Sequence, residues 1–453
     1  MYVFIKTWKP ISVSLLFLLS SYLSYSSRRY KPGEIFFSFS LIGALVGVIS
    51  SEILFYSIIN RATVTLFSLY VFLTASIKAG VISYLMSVMQ KMFRGKPSMF
   101  YLFSTVLASF FPFQRQVDVL IKHLKHRISL YKTAMYPVFP ALFAAASSLT
   151  IVGSIANLLA DHLCNVVFEG THWGFFSNGP ISLTLFFICF FFFWIGIKAQ
   201  KNQEGILVFA GLSQDPLHFD PEIDHHHKVD RKTLDVFQAF DENIPLEPSY
   251  PKHSYDNDKQ NTGFVKKWMV FNFLLFLFLS IIGISVFYSA PICGILSLIP
   301  KSLSIKEDFK CFPLDTFLLL SASLIFSYLF LHSGLAELLS KRLVFLEGKI
   351  SVVTFFLFLS SVLSMFIPSL IAVAVLVTLI NFLPICHDPS FLQVVAAAIT
   401  FGSFLILNSR AHVRRASHSE FMEDSAKTRV RASWTLSVYL AFVAHVFLFY
   451  RVD

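Results

Sequence analysis

"SSLTIVGSIANLL", Ser147 to Leu159, is an apolar stretch with small and polar residues threaded through it. Ser148, Thr150, Gly153, Ser154 and Asn157 fall within a hydrophobic segment, 133–163, that is long enough to span a bilayer. Gly and Ser in mid-span weaken a helix and let backbone groups leave its hydrogen-bond ladder. Freed N–H groups, with the N-terminus of the half-helix that follows, can hold an anion. Freed carbonyls, with the oxygens of Thr150, Ser154 and Asn157, can hold a small cation. The same spacing also suits a packing face on which small residues let helices approach. Spacing alone leaves both readings open.

The rest of the chain sets this stretch in a membrane. Of 453 residues, 55% are hydrophobic and only 14% charged. Apolar runs of about 20 residues recur from end to end, which defines an all-α polytopic membrane protein. The 53 Phe are read as lipid-facing bulk or codon bias rather than function. The net charge of +10 sits in short loops such as "RRYK" (Arg28 to Lys31), "QKMFRGK" (Gln90 to Lys96) and "RAHVRR" (Arg410 to Arg415). That placement fits topology determinants under the positive-inside rule and gives no reason to expect a nucleic-acid partner. The five Cys are scattered without a CxxC pair, which argues against a thiolate metal site. Lys6 and Lys9 precede an apolar stretch with no small-residue cleavage site, so a retained first helix is expected.

Hydropathy places spans near 10–27, 34–59, 62–89, 133–163, 178–198, 265–287, 288–302, 313–340, 391–409 and 432–450. Two other apolar stretches read as re-entrant hairpins: 98–113 is short, and 350–384 is broken at Pro368. A polar linker, 199–264, carries "DHHHKVD" (Asp224 to Asp230). Consecutive His residues do not converge on one ion, so no metal site is expected there. The halves on either side resemble each other. Gly80 matches Gly334, Pro112 of "LASFFP" matches Pro368 of "LSMFIP", and "VGSIAN" (Val152 to Asn157) matches "LNSRAH" (Leu407 to His412). All three fall at offsets of 254 to 256 residues. The expected domains are a first membrane repeat (1–198), the cytoplasmic linker (199–264) and a second membrane repeat (265–453). Each repeat has about five crossings and a hairpin, and an odd number of crossings inverts the second copy. Inverted repeats with broken helices are the build of secondary transporters.

"FAAASSLTIVGSIANLLAD" (Phe143 to Asp161) resembles the signature of the ion-transporter superfamily, in which a Gly-rich run leads into Thr-Leu-Ile-Gly-Thr, a short spacer and Asn-Leu. Here Leu149 to Ser154 and Asn157-Leu158 follow that order. "FFSNGPISLTLFF" (Phe175 to Phe187) and "HSGLAELLSKRL" (His332 to Leu343) add weaker likenesses. The superfamily includes citrate and dicarboxylate symporters, arsenite pump subunits and a type of sodium/proton antiporter. The resemblance implies two inverted repeats, each with a re-entrant hairpin and a broken helix. It implies transport of a small anion, dicarboxylate, citrate-like or an inorganic oxyanion, driven by Na+ or H+ and using no cofactor. By position, Thr150, Gly153, Ser154 and Asn157 serve the first site, and Asn408, Ser409 and His412 the second. Relatives carry Ser-Asn-Thr-like hairpin tips, whereas this chain has "FFPF" (Phe110 to Phe113) and "FIPS" (Phe366 to Ser369).

Ionisable groups within spans are costly and usually functional. Glu52 and Lys78 are expected to pair inside the bundle, and His332, the repeat-mate of Lys78, to titrate during transport. Arg410 is either an anion contact or a cytoplasmic basic residue. The alternatives to anion transport are sodium/proton exchange on the same fold and a diverged membrane subunit that transports nothing. No HExxH, nucleophile elbow or intramembrane acidic metal cluster points to an enzyme. Membrane lipid, the anion and a second copy of the chain are the partners expected, in a bacterial inner membrane.

Overall fold

The computed structural model describes residues 2–27, 30–93, 97–108, 110–112, 146–147, 149–167, 175, 183, 186–187, 190–191, 262–300, 312–343, 349–383 and 389–405. Among these residues the chain forms helices and no strands. In chain order they are α1 (Tyr2–Ser26), α2 (Pro32–Leu45), α3 (Ser51–Ile58), α4 (Arg61–Lys78), α5 (Val81–Met92), α6 (Pro97–Ala108) and α7 (Ile155–Val167). After the linker come α8 (Thr262–Ile281), α9 (Val286–Leu296), α10 (Leu314–Ser333), α11 (Leu335–Arg342), α12 (Lys349–Phe366), α13 (Ser369–Ile380) and α14 (Pro389–Leu405). Ser51–Lys78, Gly263–Ile281 and Leu314–Ser333 are long and apolar enough to cross a membrane, and several shorter apolar helices pack beside them. The protein is an integral, multi-pass membrane protein.

Two helices sit at the centre. Residues Leu320 to Phe330 of α10 and Leu370 to Ile380 of α13 are buried on every side, as a helix must be when protein rather than lipid surrounds it. Both contribute to two apolar clusters. The larger brings together α4, α7, α8, α9, α12, α13 and α14, and the smaller α1, α2, α10 and the start of α13. In the smaller cluster Phe17, Phe36, Phe326 and Phe330 meet edge to face at 5.4–6.5 Å. By contrast, α8 buries only one stripe, Met269, Asn272, Phe273, Phe276 and Ser280. Its other face exposes Phe264, Phe271, Leu274, Phe278 and Ile281, the apolar surface that lipid covers.

Small residues set the closest approaches. Gly43 of α2 lies against Leu16 and Leu329, and Gly294 of α9 against the backbone of Ser68 in α4. Gly33 donates its N–H to Asp315 Oδ1 at 2.8 Å, which places the starts of α2 and α10 side by side. With Gly43 against Leu329, the two helices run parallel. The hydroxyl of Ser361 in α12 donates to the carbonyl of Gly402 in α14 at 3.0 Å. A Cβ at position 402 would run into the Ser360 hydroxyl and the Leu357 carbonyl.

Several expected spans are broken rather than continuous. The 34–59 segment is α2 and α3, with Gly47 at φ +82° between them. The apolar path from Ser51 to Lys78 changes direction at Ile59 and Asn60, whose backbones are extended. The 62–89 segment divides at Gly80 (φ +72°) into α4 and α5, and 313–340 at Gly334 (φ +75°) into α10 and α11. Hydropathy runs straight through these breaks because glycine is neither polar nor charged. The 350–384 stretch is a helix, a break at Ile367–Pro368 and a second helix, as the sequence suggests. The 98–113 stretch is described through α6 and Pro112. The Cys-free linker with its His cluster (through 261) and the 432–450 span lie outside the described residues.

Gly334 has open space where a Cβ would go, so its requirement is conformational rather than steric. Gly334→Ala is expected to destabilise the protein by roughly 1–2 kcal/mol, and Gly334→Asn by less, because Asn tolerates the left-handed region better. Gly402→Ala, which clashes, is expected to lower the apparent melting temperature in detergent further than either. Equal melting of all three variants and the parent would contradict this.

Candidate functional site

The opening stretch is irregular, the first of the two readings that its spacing left open. Leu149 to Ser154 leave the helical ladder, and α7 begins at Ile155. Side chains take over the bonds the helix gives up. Thr150 Oγ1 accepts from Gly153 N at 2.9 Å. Ser154 Oγ accepts from Ala156 N at 3.1 Å, capping the first turn of α7. Asn157 Nδ2 reaches back from that turn to the Thr150 carbonyl at 3.0 Å. The Ile151 N–H is satisfied by the carbonyl of Phe175, at 3.1 Å. Every one of these polar residues is buried, Asn157 completely. Water cannot stand in for the missing partners, so the break persists because the protein supplies them.

One group remains unmatched. Asn157 Oδ1 is buried and has no hydrogen-bond partner. Its amide orientation is fixed by the Thr150 carbonyl, which only the NH2 end can satisfy. The Oδ1 end of the amide is therefore the one left without a protein partner. Such an atom can ligate a small cation or accept from a hydroxyl or protonated ligand. Around it α7 packs against α13, α14 and α10 of the second half and α4 of the first. Thr150, Gly153, Ser154 and Asn157 are thus brought together. Asn408, Ser409, Arg410 and His412 lie outside the described residues.

The other expected charged residues are placed differently. Glu52 is exposed in the first turn of α3, whereas Lys78 is half-buried in the last turn of α4. The expected Glu52–Lys78 ion pair does not form, because the α3–α4 path holds them at its two ends. His332 is exposed, not interior: it closes α10 just before Gly334 and stacks on Tyr328 at 6.3 Å. Glu337 forms an exposed i,i+4 ion pair with Lys341 at 2.7 Å, a contact worth a few tenths of a kcal/mol.

Two buried ionisable residues escaped the sequence reading. Asp161 and His162 follow Asn157 on α7 and are 1% and 3% exposed. The signal was present, an Asp-His pair within an apolar span, a few residues past the motif. His162 lies 6.1 Å from the Tyr56 ring. Beside this, the α3–α4 break is held by a reciprocal box. Asn60 Oδ1 accepts from Thr63 N at 3.1 Å and Thr63 Oγ1 from Asn60 N at 3.0 Å, while Asn60 Nδ2 donates to the Ser57 carbonyl at 3.0 Å.

Buried helix breaks of this kind in a multi-pass helical protein are a feature of secondary transporters. The profile of the citrate transporter family matches residues 3–402, and the chain belongs to that family. The match runs from α1 through most of α14, and it establishes the superfamily resemblance seen in the Phe143 to Asp161 motif. Among curated proteins none matches the chain. Family membership makes the protein a membrane transporter of the citrate and anion class.

Asn157→Ala would remove the buried bond to the Thr150 carbonyl, at a cost of about 1–3 kcal/mol. Ser154→Ala would lose a helix cap worth about 1 kcal/mol. Both are expected to lower the apparent melting temperature in detergent, Asn157→Ala the more. An unchanged midpoint in Asn157→Ala would mean that the bond to Thr150 does not hold the break.

Proposed function

We propose that the chain is a secondary active transporter that carries citrate, or a closely similar di- or tricarboxylate, together with Na+ or H+. Asn157 Oδ1 is the single observation that carries this reading: a fully buried acceptor without a protein partner, on a broken helix, in a chain of the citrate transporter family. At the Leu149–Ser154 break, the start of α7 favours carboxylate. Asn157 Oδ1, with carbonyls of the break, favours a cation or the substrate hydroxyl. A carboxylate and a cation bound side by side neutralise each other, and that is the electrostatic basis of cotransport through a low-dielectric core.

Two inverted repeats are part of this proposal. Three features support the repeat. α4–Gly80–α5–α6–Pro112 and α10–Gly334–α11–α12–Pro368 have the same order, and both glycines are left-handed. Upstream, each half has one more left-handed glycine between two apolar helices, Gly47 and Gly283. The ring contacts of Phe67 and Tyr70 with Phe312 and Phe317, and of Tyr56 with His162 beside Tyr328, fit α3–α4 antiparallel to α10. That is the relation an inversion requires of equivalent helices. Asn408, Ser409 and His412 would then supply the second half of the site, with Arg410 close to the anion.

Uptake into proteoliposomes tests the proposal. Labelled citrate, succinate, sulfate and arsenite are each offered with a sodium gradient, a proton gradient and neither. Citrate uptake that depends on one gradient is expected. Gly153→Leu, which forces a large side chain into the buried break, is expected to reduce it at least tenfold. Folded protein that takes up none of the four anions under any gradient would overturn the proposal.

A further inference from the structure

His162 Nε2 has no hydrogen-bond partner, although the residue is 3% exposed. An imidazole kept in the interior of a membrane protein with an idle nitrogen marks a functional position. It lies on the helix that carries Ser154 and Asn157, five residues beyond the latter, so about 7.5 Å further along the axis. The helices packed against α7 define its surroundings. α13 and α14 bring no ionisable side chain among their described residues. α4 brings Arg61, whose charge reaches the ring, while Lys78 sits at the far end of α4. Tyr56 of α3 faces the ring at 6.1 Å, with Tyr328 of α10 near Tyr56 and His332 stacked beyond it. Asp315 of α10 is at that helix's start, bound to Gly33. On α7 itself Asp161 is buried and has an interaction of its own.

We propose that the imidazole of His162 binds the proton that enters with the anion. This rests on the reading of the Thr150–Asn157 break as the transport site. The step is a simple transfer: a proton from the entry side adds to the ring nitrogen, giving imidazolium, and leaves it on the exit side. No other bond forms or breaks. With no anion at the break, the ring has the Tyr56 ring, apolar side chains and the charge of Arg61 around it, while the neighbouring Asp161 is engaged in an interaction of its own. A carboxylate held at the break supplies the missing countercharge within a distance that a low-dielectric interior transmits well. Linkage makes the effect reciprocal, so a protonated His162 strengthens anion binding by the same factor. Each ligand then enters readily only with the other, which is symport. His332, exposed at the end of α10, lacks this enclosure.

The test combines two readouts on the full chain. In proteoliposomes, labelled citrate is driven by an inward proton gradient, and citrate exchange is measured at equal pH on both sides. His162→Gln is expected to lower gradient-driven uptake tenfold or more and exchange much less. A His162→Gln variant with the parent's dependence on the proton gradient overturns the proposal. The second readout is the 13C signal of histidine Cε1 in the parent, assigned by its loss in His162→Gln, followed from pH 5 to 8 with and without anion. A midpoint that rises when citrate is added supports the proposal. Should citrate not be carried, the citrate reading falls, and succinate and sulfate replace it in the same titration. A ring that titrates with none of the three overturns the proposal; should His162→Gln not fold, His162→Asn supplies the assignment.

Discussion

A broken helix is tolerable in hydrocarbon only if the backbone groups it frees find partners inside the protein. This chain breaks its helices repeatedly, and its polar side chains are spent on that constraint. Asn60 and Thr63 close the α3–α4 break, and Thr150, Ser154 and Asn157, with the Phe175 carbonyl, hold the one before α7. On α8, Trp268 Nε1 donates to the Leu296 carbonyl, and Asn272 Nδ2 to the Cys293 carbonyl and the Ser297 hydroxyl. A few hydroxyls and amides in an otherwise apolar sequence therefore decide where the chain may turn within the membrane. The break before α7 also leaves Asn157 Oδ1 without a protein partner, and on that atom the proposed transport site rests.

Much of this was legible in the amino-acid order. Small and polar residues inside an apolar run left the stretch before α7 open between a broken helix and a packing face, whereas Pro368 announced the break between α12 and α13. The recurrence of Gly80 and Gly334 at a fixed offset pointed to one motif used twice, and both adopt the same left-handed backbone. The division of 34–59 at Gly47 was not legible, because that glycine sits in a continuous apolar run and its φ leaves no trace in hydropathy. The Asn60–Thr63 box was hidden for a related reason: Asn and Thr at this spacing can cap a helix or merely line one, and only burial distinguishes the two.

The site was half legible. The motif identified Thr150, Ser154 and Asn157, but not that Thr150 and Ser154 would turn inward to staple the loop. The charged residues were harder. A count of ionisable groups by span gives Glu52, Lys78 and His332 equal standing with Asp161 and His162, yet helix ends expose Glu52 and His332 while the middle of α7 encloses the others. Position along a helix, once its true ends are known, sorts structural charge from enclosed charge. Those ends are what glycine breaks hide from a hydropathy profile.

The contact between Gly33 and Asp315 has a consequence for biogenesis. It joins residues 282 positions apart, and α2 lays much of its buried face against α10. During synthesis the early helices enter the bilayer long before α10 exists. At 5–20 residues per second, the wait is about 15–55 s. Over that interval lipid, or an insertion factor, must cover the face of α2 that Gly43 and Phe36 later give to α10. The first half is thus an unfinished half-core when it leaves the ribosome, and final assembly is a late event in which two separately inserted halves close on each other.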